Sequence, residues 1–381
     1  MLNTHTNFLI KTLEEHGHTA YIVGGCVRDI LMGKTPKDWD IATSAKPDEI
    51  KAIFNKTIDT GIKHGTVSVM IKNTRYEVTT YRQDGEYTDL RRPDDVKFVS
   101  DIVLDLSRRD FTINAIAYNP RTGIVDPFLG QDDIKHKIIR CVGYPVMRFN
   151  EDALRMLRAL RFAAVLDFDI QEDVICAIKV LSHNIKYISP ERIKDELCKL
   201  ICGTNIILLK TTGLLEHIIE YKGDLQENAD FIKKCPVDIN MRLSLFLKDE
   251  NAYEILKGLR FDNKSIKEIC MYVSYFNINI KLCRVDIKKH LRNIPLEWFF
   301  NILLLKQIVF SIETDEYISI ANDIIQKKEC FTIKGLAVNG NDLKEYGLTG
   351  KDIGQGLEFL LDMVIHSPEM NTKELLLKCL D

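Results

Sequence analysis

The chain has 381 residues, 45% hydrophobic and 28% charged, with a formal net charge of −3. That length exceeds one ordinary domain and that apolar content can bury a core, while the near-balanced charge excludes a globally basic nucleic-acid binder and leaves room only for a basic stripe on one face. No apolar run of membrane length and no signal-peptide pattern occurs, and ten cysteines without a Cys-x-x-Cys motif read as reduced core thiols, so a soluble cytoplasmic protein is expected.

In chain order, "MLNTHTNFLIKTLEEHGHT" reads as an amphipathic helix over residues 1 to 16, followed by a strand at "YIVGG" and a helix over 25 to 32. "GKTPKDWDIAT" (33–43) then places Asp38 and Asp40 one residue apart at the mouth of a β-like run. In an extended chain both carboxylates project from one face while Trp39 and Ile41 turn inward. Two like charges that close either raise a pKa or call for a hard cation such as Mg²⁺; a solvated acidic turn is the plainer alternative. A helix over 47 to 55 and the β-like runs "TVSVMI", "RYEVTTYR" and "AIAYNP" complete a mixed region reaching to about residue 130. Beyond "DPFLGQDDIKHKIIRCVG" the texture turns helical, beginning with "NEDALRMLRALRFAAVL" and continuing through "SPERIKDELCKLI", "MRLSLFL", "KSIKEICMYV", "PLEWFFNILLLKQIVFSI" and "KELLLKCL". The expected class is α+β, a sheet domain followed by a long helical superstructure.

Upstream of the aspartates, "YIVGGCVRDILMG" runs a strand through Gly24 and Gly25 into a helix, which lets backbone N–H groups approach an anion at the positive end of the helix dipole. Phosphate is the natural guest, with Arg28 adding charge-assisted hydrogen bonds and Asp29 orienting it. Alone, Gly-Gly is more often a tight turn; beside an Asp-x-Asp strand it becomes a phosphate cradle facing a metal site.

Taken in order, "GGCVRD", "DWDIAT", "RRDFTINAIAYNP", "DPFLGQDDI", "EDALRMLRALRF" and "SPERIKDEL" resemble the class II tRNA nucleotidyltransferases, the CCA-adding enzymes, and their relatives the bacterial poly(A) polymerases. The resemblance is close over residues 20 to 200 and looser in "LAVNGNDLKEYGLTGKDIGQGLEFLLDMV". It implies a polymerase-β-like head at 1–137, a helical neck at 138–200 that recognises the base, a helical body at 201–300 and a helical tail at 301–381 that binds tRNA. The implied activity is template-independent addition of CCA to tRNA 3′ ends from CTP and ATP with release of pyrophosphate. The alternatives are a poly(A) polymerase or an A-adding enzyme, and, in another class, a catalytically silent RNA-binding protein. No obligatory protein partner and no membrane association are expected.

The resemblance also implies roles. Asp38 and Asp40 would hold two Mg²⁺ ions about 3.5–4 Å apart, with Glu77 as the third carboxylate from a neighbouring strand, unless it is simply a surface glutamate. Gly24, Gly25 and Arg28 would take phosphate. In "SRRDFTINAIAYN", Arg109, Asp110 and Asn114 resemble the set that reads phosphates and ribose hydroxyls, although Arg-Asp neighbours are commonly mere surface pairs. Asp152 and Arg155, three apart on one expected helix face, would present acceptor and donors to the amino and ring-nitrogen edge of cytosine or adenine; an ordinary ion pair is the alternative. Arg158 would join the triphosphate or base contacts, and Arg161 would be solvated or RNA-facing. The charge-dense stretch "YRQDGEYTDLRRPDDVKFVSDIVLDL" reads as a mobile loop, which the family associates with adding the terminal A. His64 is given no role. "KLCRVDIKKHLR" is a candidate basic stripe for RNA, or a solvated helix face.

Overall fold

The computed structural model describes residues 2–85 and 95–380. Alternation of apolar side chains sets the first part. Ala20–Val23 (β1), Asp40–Thr43 (β2), Thr57–Gly61 (β3), Thr66–Ile71 (β4), Thr74–Thr80 (β5), Arg82–Asp84 (β6), Val96–Phe98 (β7), Ala117–Asn119 (β8) and Gly123–Val125 (β9) are strands. Seven of them form one sheet in the order β3-β4-β5-β2-β1-β8-β9. Within it β2 and β5 run parallel, with Asp40 opposite Glu77, and the other pairs are antiparallel. Successive residues serve opposite faces. Ile22, Ile41 and Val78 join one apolar cluster with Thr4–Glu15 (α1), Gly25–Leu31 (α2) and Pro47–Ile53 (α3), while Val23 and Ala42 join another with Ile102–Ser107 (α4). Each fully buried aliphatic side chain there contributes about 1.5–3 kcal/mol.

The helices that follow the sheet include Gly130–His136 (α5), Pro145–Glu151 (α6), Leu154–Leu166 (α7), Glu172–Leu181 (α8) and Pro190–Ile201 (α9). Leu154, Leu157, Leu160 and Ala164 are buried along α7, as their spacing requires. At its far end the backbone comes very close to Gly203, where a Cβ would lie 2.5 Å from the Ala164 carbonyl carbon and oxygen. Thr204 N–H donates to that oxygen at 3.0 Å. Only glycine permits this approach.

The chain resolves into two compact units, Met1–Ala229 with Gly258–Phe261, and Asp230–Lys257 with Asp262–Asp381. The second is helical, its longest helices being Asn263–Phe276, Leu296–Phe310, Asp315–Gln326 and Lys351–His366. One of its apolar cores gathers Leu343, Leu360, Leu361, Val364 and Leu376. Among the described residues no helix is long and apolar enough to cross a membrane.

Several expectations are corrected. The regular strand begins at Asp40, and Asp38 precedes it in a bend. The helix expected to carry both Asp152 and Arg155 breaks at Asp152, whose backbone is extended (φ −145°, ψ 105°), so the two residues do not share a helix face. In the presumed mobile loop, β6 pairs with β7 and α4 follows, leaving only residues 86–94 outside the described residues. The cysteines are free, but Cys176 and Cys283 are exposed rather than core. The basic stripe is not free charge. In the helix Arg284–Asn293, Arg284 pairs with Asp323 and Glu329, Lys288 with Glu329, Lys289 with Asp362 and Arg292 with Glu358.

Candidate active site

The turn between β1 and α2 opens the site. Gly24 has φ +76° and ψ −132°, a conformation that favours glycine, and its N–H donates to Ile116 O at 3.1 Å, tying the turn to the segment before β8. A Cβ there would lie 2.8 Å from Arg109 Nη1. Gly24→Ala is therefore expected to displace Arg109 and strain the turn, lowering kcat/KM at least about tenfold, since roughly 1–2 kcal/mol of backbone strain corresponds to that factor; steady-state kinetics checks it.

Gly24 and Gly25 line a cleft of about 480 Å³ whose walls also carry Arg28, Asp40, Arg109, Asp110, Asn114, Asp152, Arg155 and Arg158. The expected site residues were assigned from scattered motifs, and all but Asp38 and Glu77 meet on this surface. Those two line an adjoining cavity of about 570 Å³ with Lys37, Trp39, Thr74, Arg75 and Tyr76. Asp40 borders both cavities.

The acidic group fits a hard cation in its chemistry. Asp40 opens at the end of β2 with Glu77 beside it in register, and crowding by protein raises its carboxyl pKa above 3.8; Glu77 and Asp38 push it up further against the pull of Arg109. A surplus of negative charge held this way is what a divalent ion relieves. Glu77 is exposed and accepts from Arg75 Nη2 at 2.9 Å, and among the described residues no three His, Cys, Asp or Glu side chains converge to hold a metal by themselves. That suits Mg²⁺, which usually takes one or two carboxylates and completes its shell with substrate phosphates and water.

A chain of alternating charge lines the floor. Arg28 is held by Asp29 Oδ1 at 2.7 Å and donates through Nη1 to Asn114 Oδ1 at 2.7 Å. Asn114 Nδ2 donates to Asp110 Oδ1 at 3.3 Å, and Asp110 Oδ2 accepts from Arg158 Nε at 2.8 Å and Nη2 at 2.6 Å. Burial would raise the Asp110 pKa, but Arg158 and Arg155 more than offset it and hold it at about 2. Burial would likewise lower Arg158, and Asp110 and Glu196 reverse that and raise it. Because Asp110 ionises more readily folded than unfolded, it stabilises the fold above pH ~4, and that contribution, on the order of 2 kcal/mol, is lost as pH falls from about 4 toward 2. Asp110→Asn should lower the melting temperature at pH 7 and flatten the acid limb of a stability profile; an unchanged limb would contradict the pairing.

Arg109 Nη2 donates to Asp105 Oδ2 at 3.2 Å, and Arg108 to Asp105 Oδ1 at 2.8 Å. Asp105 is buried; burial would raise its pKa, but the two arginines lower it below 3.8. Arg155 donates to Glu151, to Arg148 O at 3.3 Å and to Arg108 O at 3.2 Å. Asp152 accepts from Leu154 N–H at 3.1 Å and from Arg192 Nη2 at 2.7 Å. Arg161 is neither solvated nor outward: it lies 3.6 Å over the Phe162 ring and donates to Glu196 Oε2 at 2.8 Å.

Three residues in the site, Asp105, Arg192 and Glu196, were not singled out from sequence. Asp105 stands three and four positions before Arg108 and Arg109, a helical ion-pair spacing that carried the signal. Arg192 and Glu196 stand four apart in "SPERIKDEL", so that both face α7; their partners, 40 and 35–38 residues away, carry no local signal.

Comparison with known proteins finds relatives along most of the chain. Residues 20–140 match the poly A polymerase head domain, 167–222 an RNA and SrmB binding site of polymerase A, and 240–380 the tRNA nucleotidyltransferase domain 2. The CCA-adding enzyme of Geobacillus sp. (strain WCH70) is 37% identical over 96% of this chain and 93% of its own length, and that of Ligilactobacillus salivarius is 38% identical over 97% and 94%. Among solved structures, the Bacillus stearothermophilus CCA-adding enzyme in complex with CTP superposes with a TM-score of 0.85 at 31% identity, covering 97% of this chain and 94% of that one. With full-length relatives above 30% identity and matching models along its length, the chain belongs to the CCA-adding enzymes, a family of tRNA nucleotidyltransferases.

Proposed function

We propose that this chain adds CMP and AMP to the 3′ ends of tRNA to build CCA, choosing the nucleotide by protein side chains rather than by a nucleic-acid template. The observation that supports this best is the meeting of two cavities at Asp40. One is walled by guanidinium groups and Asp152, suited to a nucleoside triphosphate; the other, beside Asp38 and Glu77, leaves room for an RNA terminus. In the reaction the RNA 3′-oxygen attacks the α-phosphorus, the P–O bond to pyrophosphate breaks, and the hydroxyl proton leaves. Asp38 and Asp40, with Glu77 beside them, would hold two Mg²⁺ ions, whose chemistry when bound is to activate the hydroxyl and neutralise the departing pyrophosphate. Arg28, Arg109 and Arg158 neutralise the triphosphate at the Gly24-Gly25 turn, each oriented beforehand by a carboxylate or amide, so that little reorganisation accompanies reaction. Asn114 and Asp110 stand where ribose hydroxyls would be read. Asp152 accepts from the exocyclic amino group that cytosine and adenine share, and Arg155 stands on the same wall as a donor.

The four-part division into head (1–137), neck (138–200), body (201–300) and tail (301–381) goes with this reading. The helical half grips tRNA by shape and phosphate contacts, as duplex RNA is usually held. Incubating the protein with tRNA lacking CCA and with each nucleotide separately tests the function. C addition from CTP followed by A addition from ATP supports it; A alone indicates an A-adding enzyme, long A runs a poly(A) polymerase, and no addition a silent RNA binder.

A further inference from the structure

The second compact unit holds a cavity of about 300 Å³, none of whose lining residues belongs to the cleft. It lies where the helix Asn263–Phe276 ends and the chain continues irregularly over 277–280 beside the last turns of Leu296–Phe310. Phe276, Ile280, Leu303, Phe310 and Ile312 give it apolar walls, and Lys306 supplies the one charge in its lining.

Two lysines are buried among the described residues, and they are treated differently. Lys288 has the Glu329 carboxylate at 2.7 Å. Lys306, 8% exposed, has no carboxylate partner among the described residues. Its Nζ donates to Tyr275 O and to Ile278 O, both at 2.9 Å, and stands 5.2 Å from the centre of the Phe310 ring. An ammonium carries three hydrogens, so one is left without an oxygen acceptor. Burial lowers the Lys306 pKa below 10.5, with no anion to raise it again. The two carbonyls at the end of the helix explain why a lysine is tolerated here, but a buried cation without a counter-charge is costly. The missing negative charge and the missing acceptor are the same kind of group, a carboxylate oxygen.

We propose that this cavity is a binding site for a small organic carboxylate with a planar apolar body, its carboxylate on Lys306 and its body between the walls of Phe276, Leu303 and Phe310. The volume is that of a small-molecule site, and one charged group in an apolar lining is the usual composition of such sites. A phosphate group of RNA would bring a hydrophilic sugar against those walls, which disfavours it as the occupant. The site does not draw on the nucleotide-adding function.

Titration calorimetry on the full chain tests this with indole-3-acetate and its neutral isostere indole-3-acetamide. The unaltered protein should bind the carboxylate at least about tenfold more tightly than the amide, the factor that one charge-assisted hydrogen bond supplies. Lys306→Met should bring that ratio to about one. Lys306→Gln keeps N–H donors for the helix-end carbonyls without the charge, and should give the same collapsed ratio where the methionine variant folds poorly. A ratio that stays at tenfold or more in the folded glutamine variant overturns the proposal and leaves Lys306 as a cap on the helix. An unaltered protein that binds neither compound, or both equally, overturns it as well. So does inorganic phosphate binding as tightly as indole-3-acetate, since the apolar walls would then contribute nothing.

Discussion

Asp40→Ala is expected to lower nucleotide addition by about 10³-fold or more, the scale of losing metal-assisted charge stabilisation, while tRNA still binds. Asp40 is the residue through which the two cavities meet, and it stands opposite Glu77 on the neighbouring parallel strand. Its carboxyl is held above 3.8 by burial, with Glu77 and Asp38 adding repulsion. Removing it relieves that repulsion, so the melting temperature should stay level or rise even as activity disappears. Loss of function without loss of stability distinguishes a functional charge from a structural one. Asp38→Ala should act in the same direction. Rate assays with and without added Mg²⁺, alongside thermal unfolding, check both, and retained activity in Asp40→Ala would refute the role given to the acidic pair.

The second large effect concerns choice of base. Asp152→Ala should reduce the preference for CTP over UTP by about 10- to 100-fold, since a good bidentate base contact discriminates by roughly 1–3 kcal/mol. The variant removes the acceptor that favours an amino group and disfavours a carbonyl, and it frees Arg192 Nη2 as well. Total turnover with CTP should fall less than selectivity does, because the guanidinium groups that neutralise the triphosphate are untouched. Competition assays with mixed CTP and UTP read this directly; unchanged selectivity would mean the base is recognised elsewhere in the cleft.

Much of the site could be read in the sequence because its parts lie where local rules are strong. A strand running into Gly24-Gly25 and then a helix, and a strand opening on Asp40, are patterns of a few residues, and both occur in the structure. Burial on either side of Glu77 follows strand alternation, Tyr76 and Val78 inward. What the sequence hid was set by distant partners. Helical periodicity through Leu154 and Leu157 conceals the break at Asp152, because apolar spacing reports which face is buried and says nothing about where a backbone turns. The arginines and lysines of Arg284–Asn293 look like an RNA-facing stripe until the fold brings Asp323, Glu329, Glu358 and Asp362 against them. Arg161 looks solvated until Glu196 and the ring of Phe162 enclose it. Charge patterns are local in sequence, whereas neutralisation is decided in space.

Pyrophosphate released per tRNA tests the central claim most directly. With tRNA ending before CCA, the account predicts two equivalents from CTP alone and a third once ATP is added, then no more, and none from Asp40→Ala. Release from ATP alone on such ends, or release that continues past the third equivalent, would contradict it.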